Sequence, residues 1–181
     1  MEAPAPLRKS LALVCCDIVG STRLIARVGD LVVATVLREF REQVGRLAKE
    51  NHCLMIKFLG DGFLAAFENM DDVMPFLIST ESSSLLSQNS MSIGRSMGFK
   101  FSLHYGNVVL IETSYGKNLV GEAVNVAAHL NDLAQPNEIV ISQAALERMP
   151  TDQRARAGAS ESREFKRVGD VIFRRVNLLT S

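Results

Sequence analysis

Two aspartates stand where an ordinary fold would not place charge. Asp17 closes the apolar run Leu11-Ala12-Leu13-Val14-Cys15-Cys16 and is followed by Ile18 and Val19. A carboxylate beside a core strand is costly to desolvate unless it is paired or holds a cation. Asp61 sits in Gly60-Asp61-Gly62, between the apolar runs Met55–Leu59 and Phe63–Phe67. Asp-Gly at that place is first of all a hairpin turn. If the first strand lies beside that hairpin, the two carboxylates converge. Oxygen ligands at a strand end suit Mg²⁺ or Mn²⁺, held by one or two carboxylates together with substrate phosphates. Gly20-Ser21-Thr22 adds backbone N–H groups at the start of a helix, a phosphate cradle. Metal, carboxylates and phosphate-binding turn together point to phosphoryl transfer on a nucleotide.

The surrounding pattern supplies the elements that must hold these groups. Leu11 to Ile18 reads as a strand buried on both faces. Val33, Leu37, Phe40, Val44 and Leu47 recur at helical spacing and predict an amphipathic helix within Gly29 to Glu50. Strands follow at Cys53 to Leu59 and Phe63 to Phe67, then a helix from Asp71 to about Leu86. Phe99 to His104 and Val108 to Ile111 read as two strands around Gly106-Asn107. A loop covers Glu112 to Val120, and a helix runs from Glu122 to Ala134. A strand at Glu138 to Ser142, a short helix to Met149, a mobile loop over 151–163 and a hairpin around Gly169-Asp170 complete the chain. Helices alternate with hairpins, not with single parallel strands. The expected fold class is α+β: an antiparallel-rich mixed sheet with helices packed on it, of the ferredoxin-like split βαβ kind. Residues 1–10 read as a flexible leader and 11–181 as a single domain.

Composition sets the frame. The 181 residues are 47% hydrophobic and 22% charged, with 20 Lys+Arg against 20 Asp+Glu and a pI near 6.8. A chain of that size can bury close to 70% of its unfolded surface without disulfides or structural metal. Disordered and collagen-like classes are excluded. No basic excess points to nucleic acid, and no stretch approaches the roughly 20 apolar residues of a membrane span. Cys15, Cys16 and Cys53 lack zinc-ligand spacing and read as buried free thiols, which fits the cytoplasm.

Four stretches in order resemble the class III nucleotide cyclases, the adenylate and guanylate cyclase catalytic domain. CDIVGSTRL resembles the first-strand motif, IKFLGDGFLAAF the hairpin motif, SLHYGNVV the next strand, and VGEAVNVAAHL the helix that carries the transition-state asparagine. PNEIVIS is similar to the stretch after it. The resemblance implies two Mg²⁺ or Mn²⁺ per site, held by Asp17, Asp61 and the Ile18 carbonyl. It implies that Gly20, Ser21 and Thr22 bind phosphate, that Lys57 and Asn118 read the base, and that Asn125 orients the ribose. His129 departs from the family: it stands where arginine usually stabilises the transferring phosphate. Arg23 and Arg95 are candidates to replace that cation. The resemblance further implies a homodimer with shared sites, Asp17 and Asp61 from one chain facing Lys57, Asn118, Asn125 and His129 of the other.

The expected activity is conversion of a nucleoside triphosphate to a 3′,5′-cyclic nucleotide and pyrophosphate, for second-messenger signalling. Lys57 makes ATP the first choice, because guanylate cyclases usually carry glutamate there. A pyrimidine cyclase of antiphage signalling, acting on UTP or CTP, is the alternative that Asn118 keeps open. A catalytically degenerate nucleotide-binding protein is the third reading, motivated by His129.

Overall fold

The computed structural model of the protein describes residues 4–21, 26, 29–82, 98–114 and 116–178. The expected Thr22, Arg23 and Arg95, and the end of the second predicted helix, lie outside them. The chain order is β1 (Leu7–Val19), α1 (Asp30–Glu50), β2 (Met55–Leu59), β3 (Gly62–Phe67), a 3-10 turn (Met70–Asp72) and α2 (Val73–Glu81). There follow β4 (Gly98–Thr113), β5 (Gly116–Val120), α3 (Glu122–Leu133), β6 (Glu138–Ser142), α4 (Gln143–Leu146), α5 (Thr151–Arg154), β7 (Glu161–Phe165) and β8 (Gly169–Asn177). The strands form one sheet in the order β2-β3-β1-β4-β6-β8-β7, with β5 paired to β4. The β4–β6 pair is parallel and the others are antiparallel. This is the mixed α+β architecture that the alternation of helices and hairpins predicts.

Period-2 alternation along β1 divides the molecule. Ala12, Val14, Cys16 and Ile18 face α1 and α2 and join a core with Phe40, Val44, Phe63, Phe67, Phe76 and Phe101. Leu11 and Leu13 face the other way, toward Ala123 and Ala127 of α3. Asp17 has the parity of Leu11 and Leu13, so the strand itself assigns it to the α3 side.

Five local readings are corrected. The expected Gly106-Asn107 turn is the middle of one continuous strand, because β1 pairs with β4 without a break from Leu7↔Leu110 to Val19↔Gly98. Gly106 serves a different need: a Cβ there would fall 2.7 Å from that of Ala123, so glycine lets α3 approach the sheet. The expected loop Glu112 to Val120 folds back as β5 on the end of that long strand. Part of the expected mobile loop 151–163 is ordered as α5 and the start of β7. The β7–β8 turn precedes Gly169-Asp170 and uses positive φ at Arg167 and Gly169. At the other end β1 begins at Leu7, inside the expected leader, with Ser10 Oγ donating to Asn107 Oδ1 at 2.6 Å.

Candidate active site

The site lies on the α3 side of the sheet, at the end of β1. Asp17 is register partner of Gly62 on one side and of Lys100 on the other. Gly62 must be glycine, since a Cβ would meet Cys16 O at 2.1 Å and Asp17 Oδ1 at 2.5 Å. That close pairing brings the Gly60-Asp61 turn up to the end of β1. Arg41 of α1 steadies the turn by donating to the Gly60 carbonyl at 2.8 Å. The Asp61 carboxylate accepts a short hydrogen bond from Ser21, whose residue is buried. Gly20, at φ 86, makes the bend that turns the chain there.

Asp17 Oδ2 accepts from Asn131 Nδ2 at 2.9 Å and pairs with Lys100 Nζ at 3.2 Å. Neither partner was anticipated. Lys100 had a signal: Phe99-Lys100-Phe101-Ser102-Leu103-His104 alternates apolar and polar, which places Lys100, Ser102 and His104 on one face. Asn131 had none, because helix α3 buries it beside Leu130 in a packing that only the folded chain defines. Among the described residues its Oδ1 is buried without a protein partner. An orphaned buried acceptor costs about 1–3 kcal/mol, so this amide is held at some expense against Asp17.

Lys57, paired with Leu64 in the β2–β3 register, meets β5: its ammonium donates to Asn118 Oδ1 at 3.1 Å. The two expected base-reading residues are therefore in contact, although far apart in sequence. Asn125 is exposed on α3. His129, one turn on, lies flat on Phe165 of β7, with ring centroids 5.0 Å apart and planes at 8°. Its Nδ1 stands 3.9 Å from Asp132 Oδ2. Phe165, expected in the C-terminal hairpin, was not anticipated as a neighbour, since its place beside α3 is set by tertiary packing.

His104 faces the start of α4. Its Nδ1 lies 2.9 Å from Ser142 Oγ, which accepts from Ala145 N–H at the start of α4. Burial pushes its pKa down to about 4. Burial also pushes the Cys15 thiol up to about 12 and Cys16 well above its usual value. Cys15, Cys16 and Cys53 are all free.

Residues 4–173 match the model of the adenylate and guanylate cyclase catalytic domain. The chain belongs to that family. It is 24% identical over 135 residues to a protein provisionally named adenylate cyclase 3 of Rhizobium meliloti (strain 1021), of which it spans 22%. Its fold is similar to the guanylyl cyclase Cya2, with TM-score 0.82 at 19% identity over 96% of this chain and 94% of that one. It is also similar to the adenylyl cyclase CyaB of P. aeruginosa, with TM-score 0.77 at 17% identity over 96% of each chain. These likenesses establish the cyclase fold. They do not separate adenine from guanine, because both kinds of cyclase share it.

The donor set of this cyclase domain fits a hard divalent cation. Among the described residues no three His, Cys, Asp or Glu side chains form a cage. Two carboxylates at an open strand end are instead the donor set of an ion that keeps water and takes the rest of its ligands from phosphate. Also among the described residues, no helix is long and apolar enough to cross a membrane.

Proposed function

We propose that this domain converts a nucleoside triphosphate to its 3′,5′-cyclic monophosphate with release of pyrophosphate, as a signalling cyclase of the cytoplasm. The observation that carries the reading is the Asp17↔Gly62 pairing, which sets the Asp17 and Asp61 carboxylates at one strand end beside Gly20 and Ser21. Asp17, Asp61 and the Ile18 carbonyl would hold two Mg²⁺ or Mn²⁺, which when bound neutralise phosphate charge and lower the pKa of the attacking 3′-hydroxyl. Gly20, Ser21 and Thr22 bind the phosphates. Lys57 and Asn118 position the base, and Asn125 orients the ribose so that its 3′-oxygen stands in line with the leaving pyrophosphate. His129, when protonated, supplies positive charge to the transferring phosphate, with less reach than an arginine and no bidentate fork.

The sites are shared in a two-fold homodimer. Asp17 and Asp61 of one chain serve the same nucleotide as Lys57, Asn118, Asn125 and His129 of the other. The exposure of Asn125 on α3 supports this, since a side chain presented to solvent is available to a second copy.

Lys57 favours ATP as substrate. The contact it makes favours a second reading, a pyrimidine cyclase acting on UTP in antiphage signalling. An ammonium can only donate, so it must take the Asn118 carbonyl oxygen and leave the amide N–H₂ for the base. A donor there matches the uracil 4-carbonyl and opposes an exocyclic amino group. The test is incubation with each of the four ribonucleoside triphosphates and Mn²⁺, with cyclic products identified by mass. Cyclic AMP supports the first reading and cyclic UMP the second. Nucleotide binding without any cyclic product would establish the degenerate reading instead.

A further inference from the structure

The two oxygens of Asp17 have different surroundings. Oδ1 faces the hairpin, against Gly62. Oδ2 carries the Lys100 ammonium at 3.2 Å and the Asn131 amide at 2.9 Å. Lys100 is held there by backbone, because it is Asp17's register partner across β1 and β4. Its side chain is only 21% exposed, so water screens the pair incompletely.

A divalent ion on Oδ1 would therefore meet a carboxylate whose charge is already shared with a fixed cation, and would itself stand a few ångströms from that cation. Both effects weaken binding of the ion alone. A triphosphate reverses the balance, because its several negative charges offset Lys100 and the metal together.

We propose that Lys100 is the resident counter-cation of Asp17 and makes metal binding depend on nucleotide binding, so that the ion is held firmly only when the triphosphate arrives. The proposal rests on the reading of Asp17 as a metal ligand. Asn131, uncharged and buried, is the positioning residue that keeps Oδ2 turned toward Lys100 and Oδ1 against Gly62. The coupling is reciprocal: whatever factor the nucleotide adds to metal affinity, the metal adds to nucleotide affinity.

Free Mn²⁺ measured by electron paramagnetic resonance tests this on the full chain, with Mn²⁺ alone and with saturating 3′-deoxynucleoside triphosphates, which cannot cyclise. Lys100→Met should bind Mn²⁺ alone roughly tenfold more tightly than the wild type, the size expected for one like-charge contact at a partly wet site. The enhancement of Mn²⁺ affinity by the triphosphate should shrink by the same factor. Lys100→Arg, which keeps the charge, should behave like the wild type. Lys100→Gln removes the charge and keeps a hydrogen-bond donor for Asp17, and covers the case in which Met disturbs the strand. Unchanged or weaker Mn²⁺ binding in the folded Met or Gln variant overturns the proposal. Asp17→Asn separates the two ideas: if it retains wild-type Mn²⁺ affinity, the metal assignment itself fails and the proposal with it.

Discussion

The two faces of the sheet are built from the same strands and differ in kind. Toward α1 and α2 lie Phe40, Phe58, Phe63, Phe67, Phe76, Phe99 and Phe101, each ring within about 6 Å of another. Toward α3 the same strands present Asp17, Lys57, Lys100, Ser102 and His104 among smaller apolar side chains. Every second residue of β4 belongs to one set or the other. The difference teaches how a thin domain carries a polar site without losing its core: alternation gathers the large aromatic rings on one face, and the other keeps a smaller apolar cluster and gives its remaining positions to charge. Asp17 is met locally by Lys100 and Asn131, and Ser102 by the Ala127 carbonyl at 2.6 Å, while Asn131 Oδ1 is left without a partner among the described residues.

The sharpest way to break this comparison is to remove a carboxylate. Asp17→Ala and Asp61→Ala should each abolish cyclisation, a loss of at least about 100-fold in turnover, while circular dichroism and melting temperature change little. Near-full activity with unchanged metal dependence in either variant would remove the metal role from that residue.

The opposite face should respond oppositely. Phe63→Ala deletes a ring that is 2% exposed and touches Phe40, Phe58 and Phe76. It should cost about 3–5 kcal/mol in denaturant unfolding and leave turnover per folded molecule near that of the wild type. A selective loss of turnover would mean that the two faces are not separable.

Sharing of sites is tested by mixing. Asp17→Ala and Asn125→Ala proteins, each inactive alone, should regain roughly a quarter of normal activity after subunit exchange, since half the dimers are mixed and each has one intact site of two. No recovery, with exchange verified by differential labelling, would place each site within one chain.

His129→Arg should raise turnover a few-fold, in the chemical step, because the added charge is needed most as the phosphate transfers. A fall would show that the ring stacked on Phe165 is fitted to its place and that arginine cannot occupy it.

The smallest effect is in pH dependence. His104 is held neutral, its pKa lowered from 6.5 to about 4 by burial, so its contribution to stability is full above pH 6.5 and is lost as pH falls toward 4. Glu81 acts in reverse: burial raises its pKa from 4.5 to about 7, so the stability it contributes is present in acid and lost as pH rises through that window. In the wild type the two slopes oppose each other. His104→Asn should leave the Glu81 slope alone, so melting temperature should rise between pH 6.5 and 4.5, relative to the wild type. Parallel curves for the two proteins would show that His104 titrates normally in the folded state.

Much of this was legible in the residues. Asp17 and Asp61 stood out because charge at the end of an apolar run is costly, and the structure does bring their backbones to one strand end. The pairing of Lys57 with Asn118 follows the positions that the motifs pick out. Gly106-Asn107 misled because a turn signal of two residues is weak against a partner strand of 13 residues that pairs straight through it. Lys100 sat in plain alternation and was passed over, since its meaning depends on which residue faces it.

The sequence by itself determined the alternation of helices and hairpins, the parity that divides each strand between two faces, and the candidates proposed for metal, phosphate and base. These are local properties, written in side-chain type and in periods of two and 3.6 residues. The tertiary structure alone decided that Lys100 and Asn131 share one oxygen of Asp17, that Phe165 lies under His129, and that β5 closes over what reads as a loop. Those facts are pairings between segments distant in the chain, fixed by strand register and helix packing, and no local pattern carries register.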